Sequence, residues 1–459
     1  MRKVVKLIFL VLLFLLIISG CNQRKNPLRM GIDNGGIFEF TFESSSLTNV
    51  LNDPTGRTLL VYLPPGYQEG VANKYKYPVL FLLHGFKENG WSYQHFYNVK
   101  TIADQMTSDG EIQPMIIIMP DGSGIFGGSF FNNSVYSNGS NFGGKYEDYI
   151  TQELFDKIFY NYGSMIRGIS YKVSQMDSIV IDTIRTEIKD TVCKADTTKH
   201  PPCNFSDTST RIITFVYTSI ETTTVTWIDT TATIIDSVLF QQNLGISGHG
   251  NGGYGALRIA TDYPLAFGSA SAMSAPLNFE TLLDFIPAFM DSNGVDTNGN
   301  GYYQIDPDPN TLDQLSCLFF AMAVAFSPHN HPSDPTTTYF ELFSGKGVNL
   351  PFDSLGDTVS VIWQKWLSND MKTRISNLPS SDTLVKKLKF YIDCGEQDEF
   401  GFDGQAEAFY NTLLGKVPAS NITFETYSGY PGYPALNNSF IYDRLRKVLK
   451  FHSDCFTAP

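Results

Sequence analysis

The amino-acid sequence predicts an α/β protein built around a mostly parallel β-sheet. Two nearly continuous apolar runs, at residues 78–83 and 115–119, suit strands that are buried on both faces of such a sheet. Stretches with helical character lie between and after them, at residues 98–106 and 146–160. Alternation of buried strands with helices is typical of α/β domains.

The remaining elements follow the same scheme along the chain. A polar, Gly-rich tether over residues 21–36 precedes an alternating strand at 38–42, and a second strand at 57–63 follows a turn. Late in the chain, an apolar strand at 389–394 and another at 423–427 precede a C-terminal helix at 441–451. The pattern therefore predicts that the sheet continues almost to the C-terminus.

Composition restricts both the fold and the partners. The chain has 459 residues, of which 42% are hydrophobic and 17% charged, so it can bury a large core. Length alone suggests about three domains, although one α/β domain with insertions would absorb most of it. The formal charge of −13 argues against a nucleic-acid-binding surface. An aromatic content of 14% excludes a largely disordered chain.

Residues 164–240 break the α/β pattern. They are rich in Thr, Asp, Ile and Val, with polar/β-branched alternation that predicts antiparallel hairpins. Cys193 and Cys203 bracket a short Pro-containing turn and would form a local disulfide in an oxidising compartment. We therefore expect an insertion at 164–240 in a body formed by 37–163 and 241–459.

The first twenty residues have the features of a secretory signal. A basic start and an apolar run at residues 4–18 precede small residues and Cys21. The sequence Ile-Ser-Gly-Cys at 18–21 resembles the lipobox of bacterial lipoproteins, which implies lipidation of Cys21 and a membrane tether. Asn22 favours the outer membrane of the cell envelope. An uncleaved anchor or an ordinary signal peptide are the alternatives.

A glycine-crowded turn follows a short strand at residues 244–249. The sequence from 248 to 257 is GHGNGGYGAL, and the residues after the turn are small enough to form a closely packed helix. Strand, tight turn and helix are the layout of a nucleophile elbow, in which the nucleophile sits on a strained turn above the sheet.

This stretch resembles the putative-esterase family of α/β-hydrolases, which includes esterase D, feruloyl esterases and mycolyltransferases. The family elbow usually reads GHSMGGYGAL. The segments YLPPGY at 62–67 and LLHGF at 82–86 also match family motifs. The resemblance covers residues 57–163 and 241–452, and it implies an α/β-hydrolase fold.

The alignment of the elbow places Gly250 where the family has its catalytic Ser and Asn251 where it has Met. Glycine has no side chain that attacks a carbonyl. The nearest hydroxyl, Ser247, lies on the strand and is expected to point into the packing. The resemblance further implies that the N–H groups of Phe86 and Asn251 form the oxyanion hole, with His84 as a structural turn residue.

The resemblance also locates the other two triad members. Asp398, after the strand at 389–394, matches the family acid. The loop where the base is expected, residues 428–434, has no His and offers Tyr430 or Tyr433 instead. His452 is the only His after Asp398, and at the end of a helix it is expected to act as a cation on the helix dipole.

A short acidic segment resembles the start of an EF-hand-type calcium loop. Asp296, Asn298 and Asn300 are spaced as alternate oxygen ligands, with a glycine at the sharp turn. The twelfth position is Pro307 and not Glu. An Asn/Gly-rich turn is the alternative. We expect no cofactor other than a structural Ca²⁺ at this loop.

Three functions remain open. The first is an envelope lipoprotein of the esterase family that is catalytically degenerate and binds a carbohydrate or ester ligand, or a protein partner. The second is an active carboxylic-ester hydrolase or acyltransferase with rearranged catalytic residues. The third is a structural envelope protein without a ligand. The missing Ser at position 250 favours the first over the second.

Overall fold

A computed structural model describes most of the chain. The described residues are 35–67, 75–162, 165–175, 179–181, 223–225, 228–293, 308–330, 339–343, 346–379 and 381–458. The predicted signal peptide, most of the tether, the lipidation site Cys21, the pair Cys193 and Cys203, and the calcium loop with Asp296, Asn298 and Asn300 lie outside these residues. Predictions about them therefore stay predictions.

The described strands are numbered in chain order. They are β1 (Gly36–Glu43), β2 (Gly56–Leu63), β3 (Val79–Leu83), β4 (Ile116–Pro120), β5 (Asn133–Val135), β6 (Asn141–Lys145), β7 (Ile169–Gln175), β8 (Ile179–Ile181), β9 (Thr223–Val225), β10 (Ile228–Ile235), β11 (Leu244–His249), β12 (Ser269–Met273), β13 (Pro328–Asn330), β14 (Tyr339–Phe343), β15 (Lys346–Asn349), β16 (Lys389–Gly395) and β17 (Ile422–Tyr427).

The described helices are numbered in the same way. They are α1 (Ser92–His95), α2 (Val99–Ser108), α3 (Tyr146–Asp148), α4 (Leu154–Tyr162), α5 (Ser237–Gln241), α6 (Asn251–Asp262), α7 (Ile286–Asn293), α8 (Gln314–Phe326), α9 (Ser360–Leu367), α10 (Met371–Ser376), α11 (Phe402–Leu414) and α12 (Ile441–Cys455). A π-helical turn, Tyr149–Glu153, joins α3 to α4, and short 3₁₀ turns occur at Phe279–Phe285, Val385–Lys387 and Ala419–Asn421.

The central sheet has eight strands in the order β1-β2-β4-β3-β11-β12-β16-β17. β2 pairs antiparallel with both of its neighbours. Every pairing from β4 to β17 is parallel. The sequence-based prediction of a mostly parallel sheet flanked by helices is confirmed, and the fold is that of an α/β-hydrolase.

Burial explains why the central strands are apolar throughout. Every residue of β3 and β4 is buried, because helices cover both faces of a parallel sheet. On one face, Leu82 and Ile117 pack with Ile102 from α2 and with Leu445 and Leu449 from α12 in one hydrophobic cluster. The two helices are therefore held by the sheet that they cover.

The topology places four loops at one edge of the sheet. β3, β11, β16 and β17 run parallel to one another, so the loops that follow them leave from the same edge. In open α/β sheets, the carboxyl ends of the strands are where ligand sites form. The predicted oxyanion loop, elbow, acid loop and base loop all lie here.

Residues Ile169–Ile235 belong to a separate compact unit. Within it, β7 pairs antiparallel with β10, with an irregularity between Thr230 and Ala232, and β8 pairs antiparallel with β9. The polar/β-branched alternation predicted antiparallel hairpins in this part of the chain. Within the described ranges, each helix falls short of the length and apolar character needed to cross a bilayer.

Candidate active site

Gly250 has the backbone conformation of a strained turn between β11 and α6. Its φ is 55° and its ψ is −123°, a combination that residues with a Cβ rarely adopt. The Gly250 N–H donates to the Met273 carbonyl (2.9 Å), and its own carbonyl accepts from Tyr254 N–H (3.1 Å). The elbow geometry is therefore present, although no side chain projects from it.

Close approach of strand and helix explains the glycines around Gly250. A Cβ at Gly248 would lie 2.2 Å from the Gly252 carbonyl carbon, and a Cβ at Gly252 would lie 2.2 Å from the Leu83 carbonyl oxygen. Neither position accommodates a larger residue without movement of the backbone. The glycine pattern that identified the elbow is thus a packing requirement.

The space beside Gly250 is open. A Cβ built there would lie 3.8 Å from both Gly85 Cα and Phe86 N, with no nearer contact outside its chain neighbours and helix α6 in the described residues. The structure therefore brings the Phe86 N–H to the place where the resemblance puts an oxyanion donor. Asn251, the second expected donor, is the first residue of α6, at the positive end of the helix dipole.

Asp398 lies in the loop after β16, at the edge that carries the elbow. The residue is 8% exposed. Its Oδ1 accepts hydrogen bonds from Phe400 N–H (3.0 Å) and Phe402 N–H (3.4 Å). Burial raises the pKa of Asp398, although these hydrogen bonds oppose the shift. Asp398 is therefore a fixed, largely desolvated carboxyl group.

Asn437 donates the hydrogen bond that the acid of this family would accept from the catalytic base. Its Nδ2 donates to Asp398 Oδ2 over 3.0 Å, and the residue is buried. Tyr430 and Tyr433, which the sequence offered in place of a His, are 67% and 72% exposed, and Asp398 Oδ2 accepts a hydrogen bond from Asn437 instead. Asn437 was not predicted because it lies beyond residues 428–434, in the part of the loop that continues to α12.

His249 is the third member of this chain of contacts. Its Nε2 lies 3.1 Å from the Asn437 carbonyl oxygen, so Nε2 carries the proton and Nδ1 is an acceptor. Burial lowers the pKa of His249, which keeps the ring neutral. Nδ1 has no hydrogen-bond partner in the described part of the chain, and a Cβ at Gly85 would lie 2.6 Å from it.

The buried ion pair of Arg444 and Asp393 contacts Asn437. Arg444 and Asp393 have side chains that are 3% and 1% exposed, and Arg444 Nε donates to Asp393 Oδ1 over 3.0 Å. Arg444 Nη1 donates to the Asn437 carbonyl over 2.8 Å. Nη2 reaches Ser274 Oγ over 3.0 Å. The guanidinium therefore positions the residue that holds Asp398.

Ser247 is completely buried and points into the packing, as expected. It accepts a hydrogen bond from Ser271 Oγ (2.7 Å), which lies 2.9 Å from His452 Nε2. His452 Nδ1 lies 2.7 Å from Ser269 Oγ. Burial lowers the pKa of His452 to about 3. His452 is therefore neutral, and the expectation that it acts as a cation at the helix end is wrong.

His84 has the structural role predicted for it. The side chain is fully buried, and its Nε2 accepts a hydrogen bond from the Gly122 N–H over 2.8 Å. Among the described residues, no group of three or more His, Cys, Asp or Glu side chains is arranged to hold a metal ion. The calcium ligands predicted from the sequence lie outside those residues.

Comparison with known proteins agrees with this architecture. The family model described as "Putative esterase" matches residues 51–168 and 214–430, which is more than half of the chain. The unmatched residues 169–213 fall inside the predicted insertion. A curated relative, the endo-1,4-beta-xylanase/feruloyl esterase of Xylanibacter ruminicola, is 38% identical over 95 residues. That match spans 20% of this chain and only 12% of the relative.

Solved structures of esterases cover nearly the whole chain at low identity. A ferulic acid esterase is 15% identical with a TM-score of 0.49, and the match covers 92% of this chain and 99% of that one. An S-formylglutathione hydrolase from Agrobacterium tumefaciens is 14% identical with a TM-score of 0.46, over 93% and 97% of the two chains. On the extent of the family match, the chain belongs to the putative esterase family of α/β-hydrolases.

Proposed function

We propose that this chain is an exported, catalytically degenerate member of the esterase family that binds an ester-bearing ligand at the elbow without cleaving it by the serine mechanism. One observation carries the proposal. Gly250 has the strained backbone expected at a nucleophile position, while the side-chain amide of Asn437 donates the hydrogen bond that Asp398 accepts.

The serine mechanism needs a nucleophile and a general base. Gly250 does not provide the first, and Asn437 does not provide the second. Glycine provides no oxygen or sulfur to form an acyl-enzyme. The lone pair of the Asn437 amide nitrogen is delocalised, so Asn437 is not a general base near neutral pH. An oxyanion hole alone still lends some rate, so trace activity is compatible with the proposal.

The open space beside Gly250 supports ligand binding over a purely structural role. A ligand carbonyl in this space would reach the Phe86 N–H, because that nitrogen lies only 3.8 Å from the Cβ built at Gly250.

The ligand class follows from the relative. The Xylanibacter ruminicola protein is named as a xylanase and feruloyl esterase. For this chain we propose a feruloylated or similarly acylated neutral polysaccharide, with the acyl ester at the elbow. The charge of −13 disfavours nucleic acids as partners.

The cellular setting is part of the proposal. The lipobox-like sequence ending at Cys21 supports lipid anchoring in the cell envelope, with the outer membrane favoured by Asn22. In the native host, wild type should fractionate with membranes and incorporate labelled palmitate, whereas Cys21→Ala should do neither. A soluble, unlabelled wild type would contradict the anchor. We also propose a structural Ca²⁺ ion held by Asp296, Asn298 and Asn300, because these residues are spaced like the first oxygen ligands of an EF-hand-type loop.

Binding at the elbow is tested with ethyl ferulate, a small ester without a sugar. Calorimetry should detect binding by wild type, and chromatography should recover the ester intact after long incubation. Gly250→Leu should abolish binding, because its side chain fills the space beside Phe86 N. Gly110→Leu is the matched control, since Gly110 has a φ of 73° and open space around it. Absence of binding by wild type would overturn the proposal.

A further inference from the structure

We propose that Tyr430 and Tyr433 form a tyrosine platform that stacks against the sugar rings of a neutral polysaccharide. The inference rests on the proposed function, because it names the part of the ligand that lies outside the elbow. It is carried by a separate set of contacts, in the loop between β17 and α12.

The backbone holds the two tyrosines directly opposite each other. Tyr430 N–H donates to the Tyr433 carbonyl (2.9 Å), and Tyr433 N–H donates to the Tyr430 carbonyl (2.8 Å). The turn between them is Pro431-Gly432, with Gly432 at a φ of 84°, which is typical of a tight type II turn. Opposite residues of an antiparallel pair project from the same face. The platform therefore presents two rings on one side of the loop.

Both rings are exposed to solvent, and the Tyr430 ring is held by a neighbouring ring. Tyr430 and Tyr433 are 67% and 72% exposed. The Tyr430 ring packs edge-on against Phe440, with centroids 5.4 Å apart and an interplanar angle of 89°. A Cβ at Gly429 would lie 2.5 Å from the Tyr433 carbonyl oxygen, so the base of the turn is closely packed. A rigid aromatic surface loses little conformational entropy on binding.

The acid loop anchors this turn to the candidate site. Ser428 Oγ donates to Glu396 Oε2 over 2.6 Å, before the turn. Gln397 N–H donates to the Ala435 carbonyl (3.1 Å) after it. Two residues further on, Asn437 holds Asp398. The platform therefore belongs to the same anchored loop as Asn437, which contacts Asp398.

The chemistry around the platform favours a neutral sugar chain. The negative faces of the tyrosine rings attract the C–H groups on the flat side of a pyranose. Carboxylates of Glu396 and Glu399 lie in the adjoining acid loop, where they accept hydrogen bonds from sugar hydroxyls and repel an anionic polymer. The carboxylate of Glu425, on β17, is already paired with Lys447 and is not counted among these acceptors. Aromatic faces combined with acceptors suit a polyhydroxylated, uncharged ligand.

Affinity electrophoresis of the mature chain in gels containing unesterified arabinoxylan tests the platform apart from the elbow. Wild type should be retarded. The double variant Tyr430→Ala/Tyr433→Ala should lose roughly ten- to a hundredfold in affinity, the range expected for two aromatic contacts. Tyr430→Phe/Tyr433→Phe should keep most of the affinity, because the rings remain. Phe96→Ala is the control for loss of an exposed ring, since Phe96 is 73% exposed outside this loop.

The outcomes separate this inference from the proposed function. Gly250→Leu should still bind unesterified arabinoxylan, and the platform variants should still bind ethyl ferulate. No retardation of wild type, equal retardation of the double alanine variant, or preference for anionic polygalacturonate would overturn the platform, while ethyl ferulate binding stood. Thermal unfolding of each variant confirms that the fold is intact.

Discussion

The Nδ2 atom of Asn437 lies 3.0 Å from the Oδ2 atom of Asp398. Asp398, which the resemblance predicts as the acid, is thus buried and hydrogen-bonded, while its partner is an amide. The same Asn437 accepts through its carbonyl from His249 and Arg444. We propose that this esterase-family fold surrounds residues that do not carry out the serine reaction.

This relationship predicts how activity would be restored. Gly250→Ser alone should hydrolyse p-nitrophenyl acetate barely above wild type, because its hydroxyl has no base. Gly250→Ser/Asn437→His should be faster by roughly 10²–10⁴-fold, the usual contribution of general-base catalysis. Gly250→Ser/Tyr430→His is the matched control, since Tyr430 is exposed and has no contact with Asp398 among its described contacts. Equal rates for both double variants would refute the assignment of Asn437.

The buried ion pair of Arg444 and Asp393 predicts that loss of this arginine destabilises the protein more than loss of an exposed arginine. Arg444→Met leaves Asp393 buried without its cation and should lower the free energy of unfolding by about 3–5 kcal/mol. Arg446→Met is the control, because Arg446 pairs with Glu111 near the surface and should cost at most about 1 kcal/mol. Urea unfolding measures both. Similar losses in the two variants would show that the Arg444 pair is not the structural support of Asn437.

His452 predicts a pH dependence of stability. Its pKa is lowered in the folded state to about 3, from an ordinary value of 6.5. The unfolded chain therefore binds more protons between these values, and stability falls as the pH is lowered from about 6.5 towards 3. The slope from this residue is up to about 1.4 kcal/mol per pH unit. His452→Gln should reduce the slope in urea melts, whereas the exposed His95→Gln should not. An unchanged slope in His452→Gln would exclude the buried neutral state.

Local sequence patterns were sufficient to predict the central sheet and the elbow. The apolar runs at β3 and β4 follow from burial on both faces, and the glycines at 248 and 252 follow from backbone approach. These are short-range requirements, so they are visible in a single sequence. Asp398 was predicted as the acid because it follows a late strand, and the structure places it after β16, at the edge of the sheet that carries the elbow.

Long-range contacts were not predictable in the same way. Asn437 lies 39 residues from Asp398 and has no motif around it. The neutral state of His452 depends on its complete burial, where its ring nitrogens meet Ser269 and Ser271 of a distant strand. Helix periodicity indicated where His452 lies but not what surrounds it. Such roles depend on tertiary packing, which a pattern along the chain does not record.

Labelling with a fluorophosphonate probe tests the central claim most directly, because the probe reacts only with an activated serine. The purified wild-type protein should remain unlabelled, and its hydrolysis of short p-nitrophenyl esters should not exceed that of Gly250→Ala. Stoichiometric labelling, on Ser247 or any other serine, together with kcat/KM on the order of 10⁴ M⁻¹s⁻¹ or more, would contradict the account.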